Sequence, residues 1–164
     1  MTQHKTHHYE VNTSWSSALA GPTHNYRSYS REHRIEIEGK APLHASAEPA
    51  FRGDETLHNP EDLLLASLSG CHLLWYLHLC AVNQVEVLEY LDRASGVMQE
   101  SPGAGRFQEV VLRPQVTISA SSDEAVALQL HEQAHRECFI ANSVNFPVRH
   151  EPVITRAQPE APST

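Results

Sequence analysis

The feature of this sequence that most limits its possible folds is a stretch from 63 to 82 that contains no Asp, Glu, Lys or Arg. The residues before it, Asn59-Pro60-Glu61-Asp62, are typical of a helix start. Asn caps free backbone N–H groups, Pro is tolerated at the first helical position, and acids suit the positive end of the helix dipole. The sequence therefore predicts one long apolar helix that the rest of the chain must cover.

A run of this length is also long enough to cross a bilayer. Against a membrane span stand Ser67, Ser69, His72 and His78 within the run, and flanks that are acidic where basic anchors are expected. We therefore favour a central helix that is buried on nearly every face, and we predict no membrane partner.

The N-terminal third of the chain predicts strands. Apolar and polar residues alternate at 9–15 and again at 34–38, which is the two-residue period of half-buried strands. Residues 39–58 contain two prolines and two glycines and predict mostly loop, with at most one short strand. We expect an N-terminal strand pair or meander.

A long β-hairpin is predicted after the central helix. Residues 85–98 predict its first strand, 101–105 a turn, and 110–118 a second strand with one apolar face. The hairpin joins segments that are close in sequence, so its strands are antiparallel.

The C-terminal part predicts a second helix and a last strand. Ser121 and Glu124 form a capping-box pattern that opens a helix running to about Cys138, and a strand follows from about 146 to 154. The order of elements predicts an α+β fold with mainly antiparallel sheets around two helices. We expect one domain over 9–155, with disordered ends at 1–8 and 156–164.

Charge and cysteine content exclude several classes of protein. With 20 acidic and 12 basic side chains among 164 residues, the formal charge is −8, and the largest basic cluster is Arg27, Arg31 and Arg34. Nucleic-acid partners need denser positive charge, so we predict none. Three cysteines do not form a complete set of disulfides, and nothing resembles a secretory signal, so we expect a cytoplasmic protein.

Two of the cysteines fall on different predicted helices, Cys71 on the first and Cys138 on the second. Cys80 lies nine positions after Cys71, and at ~100° per residue it faces the opposite side of the helix. If two thiols act together, Cys138 is the partner of Cys71. The alternative is that all three are buried and act as small hydrophobic residues.

A zinc-like pattern occurs on the second helix, where His131 and His135 are spaced as in H-E-x-x-H and Cys138 follows on the same face. The pattern is short, and no second helical lobe supplies a third ligand as in a metalloprotease, so an ordinary solvated helix face is the simpler interpretation. An adventitious metal site at His131, His135 and Cys138 is the alternative to a catalytic one. We predict no metal and no cofactor.

The combined spacing of several motifs resembles the OsmC/Ohr family of osmotically induced and organic-hydroperoxide-resistance proteins. The helix opens with Asn59-Pro60-Glu61 and carries Cys71 ten residues after the Glu, while 51–54 upstream and 134–138 downstream fit as well. The likeness extends from about Tyr9 to Pro152.

The resemblance implies an OsmC-like fold, an intertwined homodimer and a thiol-dependent peroxidase acting on organic hydroperoxides in oxidative-stress defence. By position, Cys71 would attack the peroxide and Cys138 would resolve the sulfenic acid as a disulfide. An external dithiol of the lipoyl or thioredoxin type would then reduce that disulfide. The alternative function is a non-catalytic dimer of the same fold that binds a small apolar ligand.

The same resemblance gives the site an arginine. Arg52 matches the arginine upstream of Asn-Pro-Glu in the OsmC branch, and Glu61 would hold its guanidinium; Arg27 is the alternative, because in the Ohr branch the arginine comes from the first β-turn. Family members usually carry Pro after the resolving cysteine, whereas Phe139 follows Cys138 here.

The spacing of Glu61 and Cys71 adds a geometric constraint. On one continuous helix, ten residues separate them by roughly 15 Å, too far to share one arginine. Either the helix breaks, or the site takes Glu61 and Arg52 from a second subunit, which we favour. Near the site, His58 and His72 are expected to pack, and Trp75 and Tyr76 either line an apolar pocket or pack in the core.

Overall fold

A computed structural model describes residues 5–158 of the chain. These residues divide into two compact units, with the boundary in the chain between Leu63 and Leu64, and each unit is described by itself. The elements, in chain order, are β1 Asn12–Ser14, β2 His33–Glu36, β3 Leu43–Ala45, α1 Pro60–Val82, β4 Val87–Asp92, β5 Ser95–Ser101, β6 Ala104–Leu112, β7 Pro114–Ile118, α2 Glu124–Glu137, β8 Val148–His150 and β9 Val153–Arg156, with short 3-10 turns at Pro49–Phe51 and Ala141–Ser143.

The first unit is built on an antiparallel meander. β2 lies in the middle, with Thr13 opposite Ile35 on one side and His33 opposite Ala45 on the other. The predicted N-terminal meander is thus confirmed, and β3 is the one short strand expected in the following loop.

Helix α1 begins where the sequence predicts. The Asp62 N–H donates to the Asn59 side-chain oxygen at 2.8 Å, and Glu61 and Asp62 occupy the first turn. The helix is continuous to Val82. Among the described residues it is the one helix long and apolar enough to cross a membrane, a criterion that core helices also meet.

The expectation that α1 is buried on nearly every face is wrong for the single chain. One side is buried, whereas Leu74 is 68% exposed and Leu77 is 37% exposed. The helix is apolar all round, but the chain covers it on one side only. The buried side is lined by Leu68, His72, Tyr76, Leu79 and Cys80.

The second unit contains the predicted long hairpin, but the hairpin is bent. β5 pairs with β6 in one sheet, and β4 pairs with β7 in another, so each predicted single strand is two strands. The bend lies where Pro114, which has no backbone N–H to donate, begins β7. There the Asp92 carboxylate accepts the Arg113 N–H at 2.6 Å, which satisfies a donor that the ladder leaves free.

The predicted last strand is also two strands, separated by Glu151 and Pro152. β8 pairs in parallel with β6, and β9 pairs in parallel with β7, which makes both sheets mixed. Four of the six strand pairings are antiparallel, as the α+β prediction expects. β9 includes Arg156, which the sequence placed in a disordered tail; residues 1–4 and 159–164 of the predicted ends lie outside the described residues.

Helix α2 is capped by Asp123. Its side chain accepts the N–H groups of Ala125 and Val126 at 2.8 and 3.1 Å. The predicted capping box at Ser121 is wrong, because Asp123 directly precedes the first helical residue and has the better acceptor. The predicted C-terminal end is correct, since Cys138 caps the helix.

The core of the second unit forms around α1. Tyr76 and Leu79 pack with α2 and with strands β4, β7 and β9, while Leu68 packs with β6 and β8. α1 is therefore a core helix. The strands contribute Val110, Leu112, Val116, Ile118 and Val148, and α2 contributes Ala127, Leu130 and Ala134.

We predict that Asp92 fixes α1 on the bend of the hairpin. Besides the Arg113 N–H, its carboxylate accepts the Ser69 hydroxyl at 2.6 Å. Asp92→Ala should lower the free energy of unfolding in urea by about 2 kcal/mol, because a partly buried N–H and a hydroxyl lose a charged acceptor. Glu89→Ala, an exposed carboxylate on the same strand, is the matched control; an equal loss there would contradict the prediction.

Candidate active site

Two thiols meet where α1 passes the end of α2. Cys71 lies near the middle of α1 and is partly exposed, and Cys138 caps α2 and is buried. The Cys138 thiol lies close enough to the Cys71 thiol to be influenced by it, and its sulfur accepts the Ala141 N–H at 3.4 Å. Cys80 is buried in the core against Tyr76. The three cysteines are thus arranged as a pair and a separate core residue.

The surroundings of Cys138 keep it protonated. The pKa of Cys138 is raised to about 11; burial is the main cause, the neighbouring Cys71 thiol adds to it, and the Ala141 N–H opposes the shift. At neutral pH, Cys138 is therefore a neutral thiol beside Cys71. Cys71 is the thiol of the pair that small molecules reach, because it is the more exposed of the two.

An apolar groove of about 540 Å³ opens beside Cys71. Trp75 forms its centre and contacts Phe139 and His78 edge-on, with ring centroids 5.4 and 5.9 Å apart. The prediction that Trp75 lines an apolar pocket is confirmed, whereas Tyr76 packs in the core. Leu74 completes the lining.

The sequence reasoning missed Leu74, His78 and Phe139. Leu74 and His78 lie three and seven positions after Cys71, so helical periodicity places them on its face and was a usable signal. Phe139 had no such signal, because its place in the groove depends on how α2 ends. It is 68% exposed, which is unusual for a Phe.

Arg52 is presented by a constrained loop of the first unit. It has φ 66°, follows the short turn at Pro49–Phe51, and its N–H donates to the Pro49 carbonyl oxygen. Next to it, a Cβ on Gly53 would lie 1.6 Å from the Ala47 carbonyl oxygen, so glycine is required there. The Arg52 side chain is exposed.

The single chain does not bring the predicted arginine and glutamate together. Among residues 5–158, neither Arg52 nor Glu61 forms a salt bridge. Arg27, the alternative, is exposed and forms none either within that range. Because α1 is unbroken from Pro60 to Val82, Glu61 lies roughly 15 Å along the helix from Cys71. The alternative that the helix breaks is therefore excluded.

The zinc-like pattern on α2 has a structural explanation. His131 is fully buried, its Nδ1 lies 3.0 Å from His72 Nε2, and its ring stacks on Tyr76. Between residues 5 and 158, no three His, Cys, Asp or Glu side chains are placed to hold a metal ion. His72 is a packed core residue, as expected, whereas the expectation that His58 packs is wrong, because it is exposed.

A family model described as OsmC-like protein matches residues 53–152. A solved structure described as an OsmC-like protein of unknown function, from Vibrio cholerae O1 biovar eltor, is 32% identical. It covers 90% of this chain and 100% of its own, with a TM-score of 0.80. The chain therefore belongs to the OsmC-like family and has the OsmC-like α+β fold.

More distant structures share the fold. An organic hydroperoxide resistance protein OsmC from Legionella pneumophila is 16% identical, covering 93% of this chain and 99% of its own at a TM-score of 0.64. A putative organic hydroperoxide resistance protein from Vibrio cholerae, with captopril bound in one of its active sites, is 19% identical, covering 94% and 96% at 0.65. No curated protein sequence matches the chain.

The environments of the three thiols predict their order of alkylation. At pH 8, iodoacetamide should label Cys71 at least tenfold faster than Cys138, which is buried and protonated. The rate at Cys138 should keep rising toward about pH 11, where its pKa lies. Peptide mass spectrometry after timed quenching measures both rates. Cys80 should react only after unfolding in urea, and equal rates at Cys71 and Cys138 would contradict the described contact.

Proposed function

We propose that this protein is a cysteine-based peroxidase that reduces organic hydroperoxides with thiols in oxidative-stress defence. One observation carries the proposal: two free thiols lie next to each other at the edge of an apolar groove that one of them lines. Membership of the OsmC-like family supports it, since some proteins of this fold are described as organic hydroperoxide resistance proteins.

The catalytic cycle begins at Cys71. Its thiolate attacks one oxygen of the peroxide, the O–O bond breaks, and the organic part leaves as an alcohol after taking up a proton. Cys71 becomes a sulfenic acid. The groove holds the organic substituent against Trp75 and Phe139.

Cys138 then resolves the sulfenic acid. Its sulfur attacks Cys71, the new S–S bond forms, and the proton of Cys138 leaves with the sulfenic oxygen as water. The two thiols already lie next to each other, which favours this step. An external dithiol, of the lipoyl or thioredoxin type, restores both thiols by two exchange reactions, and no metal or cofactor takes part. A transient disulfide of this kind is compatible with the cytoplasm.

We place the working site in an intertwined homodimer. Arg52 of the partner subunit, held by Glu61 of the partner subunit, supplies the positive charge beside Cys71 and the peroxide. Two observations support this: the unbroken α1 keeps Glu61 far from Cys71 in one chain, and Leu74, Leu77 and Phe139 are large apolar side chains exposed in the single chain, as expected of residues that a second copy would cover.

Intact mass after brief exposure to about 0.1 mM cumene hydroperoxide, near typical enzyme KM values, tests the chemistry. The wild type should lose two hydrogens as a Cys71–Cys138 disulfide forms. Cys138→Ser should instead accumulate sulfenic or higher acids on Cys71, and Cys71→Ser should not react. Cys80→Ser is the matched control and should form the disulfide normally. No reaction of the wild type would favour the non-catalytic apolar-ligand binder.

Subunit complementation tests the shared site. Arg52→Ala and Cys71→Ser should each be inactive alone as homodimers. An equal mixture, unfolded and refolded together, should recover about a quarter of wild-type activity, because half of the dimers are mixed and each has one intact site. Arg27→Ala is the matched control and should remain active. No recovery on mixing would contradict sharing, and an active Arg52→Ala would remove Arg52 from the site.

A further inference from the structure

Four histidines form a cluster between the two helices of the second unit. His72 comes from α1, His131 and His135 from α2, and His150 from β8. The His72 and His131 rings are hydrogen-bonded at 3.0 Å. The His150 ring lies near the rings of His72 and His135, with centroid distances of 5.6 and 5.1 Å. We call these four residues the histidine cluster.

The histidine cluster is buried without compensating charge. His72 and His131 are 1% and 0% exposed, and each has a second ring nitrogen, Nδ1 and Nε2 respectively, that is buried without a partner. His135 and His150 each have a buried Nδ1 in the same condition. A proton on such a nitrogen has neither water nor an acceptor to stabilise it.

The groups that face the cluster are mostly neutral. Tyr76 of α1 stacks on His131 with centroids 3.7 Å apart, and Tyr90 of β4 lies behind Tyr76. Glu132 of α2 is the facing carboxylate; it approaches His150 Nε2 to 3.7 Å but is itself 66% exposed to water. The central pair, His72 and His131, therefore has no buried counter-ion facing it from these elements.

The histidine cluster joins the same two helices as the thiol pair. His72 follows Cys71 directly, and the Cys138 N–H donates to the His135 carbonyl oxygen. Holding His131 against His72 thus holds the end of α2 against the middle of α1.

Protonation of both rings weakens the contact between His72 and His131. A neutral pair shares one N–H between two nitrogens, whereas two charged rings would place one N–H against another. Burial, followed by the charges of His150 and His135, lowers the pKa of His72 to about 4. Burial, followed by His72 and His150, lowers the pKa of His131 to about 3. Burial also lowers the pKa of His150, although Glu132 opposes it.

The sign of the linkage follows. The opened form binds protons near the ordinary histidine pKa of about 6.5, and the closed form binds them only near 3 to 4. The closed form is therefore fully favoured above about pH 6.5. The free-energy advantage of the closed form over the opened form falls as the pH drops from about 6.5 toward 3 to 4.

We propose that the histidine cluster is a proton-sensitive clamp that positions Cys138 against Cys71 while its rings are neutral and releases Cys138 when they are charged. His72 and His131 are positioning residues, since they act through the two helices and not on the substrate. The resolving step by Cys138 should therefore be lost at low pH, independently of the attack of Cys71 on the peroxide. The inference rests on the proposed function only for the use of the thiol pair.

Equilibrium exchange with glutathione measures the clamp without any peroxide. Two protein thiols and one glutathione disulfide give one protein disulfide and two glutathione thiols, with no net uptake of protons while the thiols are protonated. The equilibrium constant reports the effective concentration of Cys138 at Cys71. In the wild type, with a selenol catalyst to keep exchange fast, it should fall about tenfold or more between pH 7 and pH 4.5.

The double variant His72→Gln with His131→Gln keeps hydrogen-bonding groups but takes up no proton. Its effective concentration should change less than twofold over the same range, which also corrects for titration of the thiols. His24→Gln, an exposed histidine of the first unit, is the matched control and should keep the full wild-type dependence. A flat wild-type profile, or an unchanged slope in the double variant, would overturn the clamp.

If the double variant does not fold, imidazole NMR of the wild type gives the same decision. As the pH is lowered, His72 and His131 should stay neutral to below pH 5.5. They should gain protons only at the pH at which Cys138 separates from Cys71. Ordinary titration of these rings near pH 6.5 in the folded protein would overturn the clamp. Failure of the peroxidase proposal is separate, since a protein that ignores hydroperoxides can still show a pH-linked glutathione equilibrium.

Discussion

Continuous burial of one side of an uncharged helix is the interaction on which this structure depends. α1 has no charge from 63 to 82, so the side that faces the chain must be covered, and Leu68, Tyr76 and Leu79 are covered by α2 and by strands of two sheets. The opposite side carries Leu74 into solvent. The candidate site lies at the border between these two sides, where Cys71 is near enough to the core to meet Cys138 and open enough to meet a ligand.

The end of α2 supplies the buried thiol of the candidate site and part of its groove. Cys138 occupies the cap of α2, where the backbone turns away and its sulfur accepts the Ala141 N–H. The same turn places Phe139 over Trp75, so the end of one helix builds both the second thiol and one wall of the groove. Burial there keeps the Cys138 thiol neutral, and burial two helical turns earlier does the same for the His131 imidazole. Low local polarity is thus the common cause of both states.

The sequence predicts features that depend on local chemistry better than features that depend on long-range packing. The start of α1 at Asn59 and Pro60, the meander and the hairpin turn near Gly103 follow from capping, alternation and turn residues, and the structure has them. The bend beside Arg113 depends on β4 and β7 joining a different sheet, and the burial of His131 depends on His72, which is 59 positions away. Likewise, spacing along α1 separates Cys71 from Cys80, but only the packing of α2 brings Cys138 to Cys71.

The bent hairpin has a consequence for how the chain reaches its final state during synthesis. β4 to β7 are contiguous in sequence and can pair as soon as they emerge, but each of their two sheets gains its third strand from the last residues, β8 on β6 and β9 on β7. Until β8 and β9 are synthesised, β6 and β7, the middle strands of their final sheets, each have one unpaired edge. Unpaired edges of this kind can pair with strands of other chains. The nascent chain is therefore open to aggregation from the time β6 and β7 form until β8 and β9 pair with them. Pairing of the C-terminal segment removes this risk.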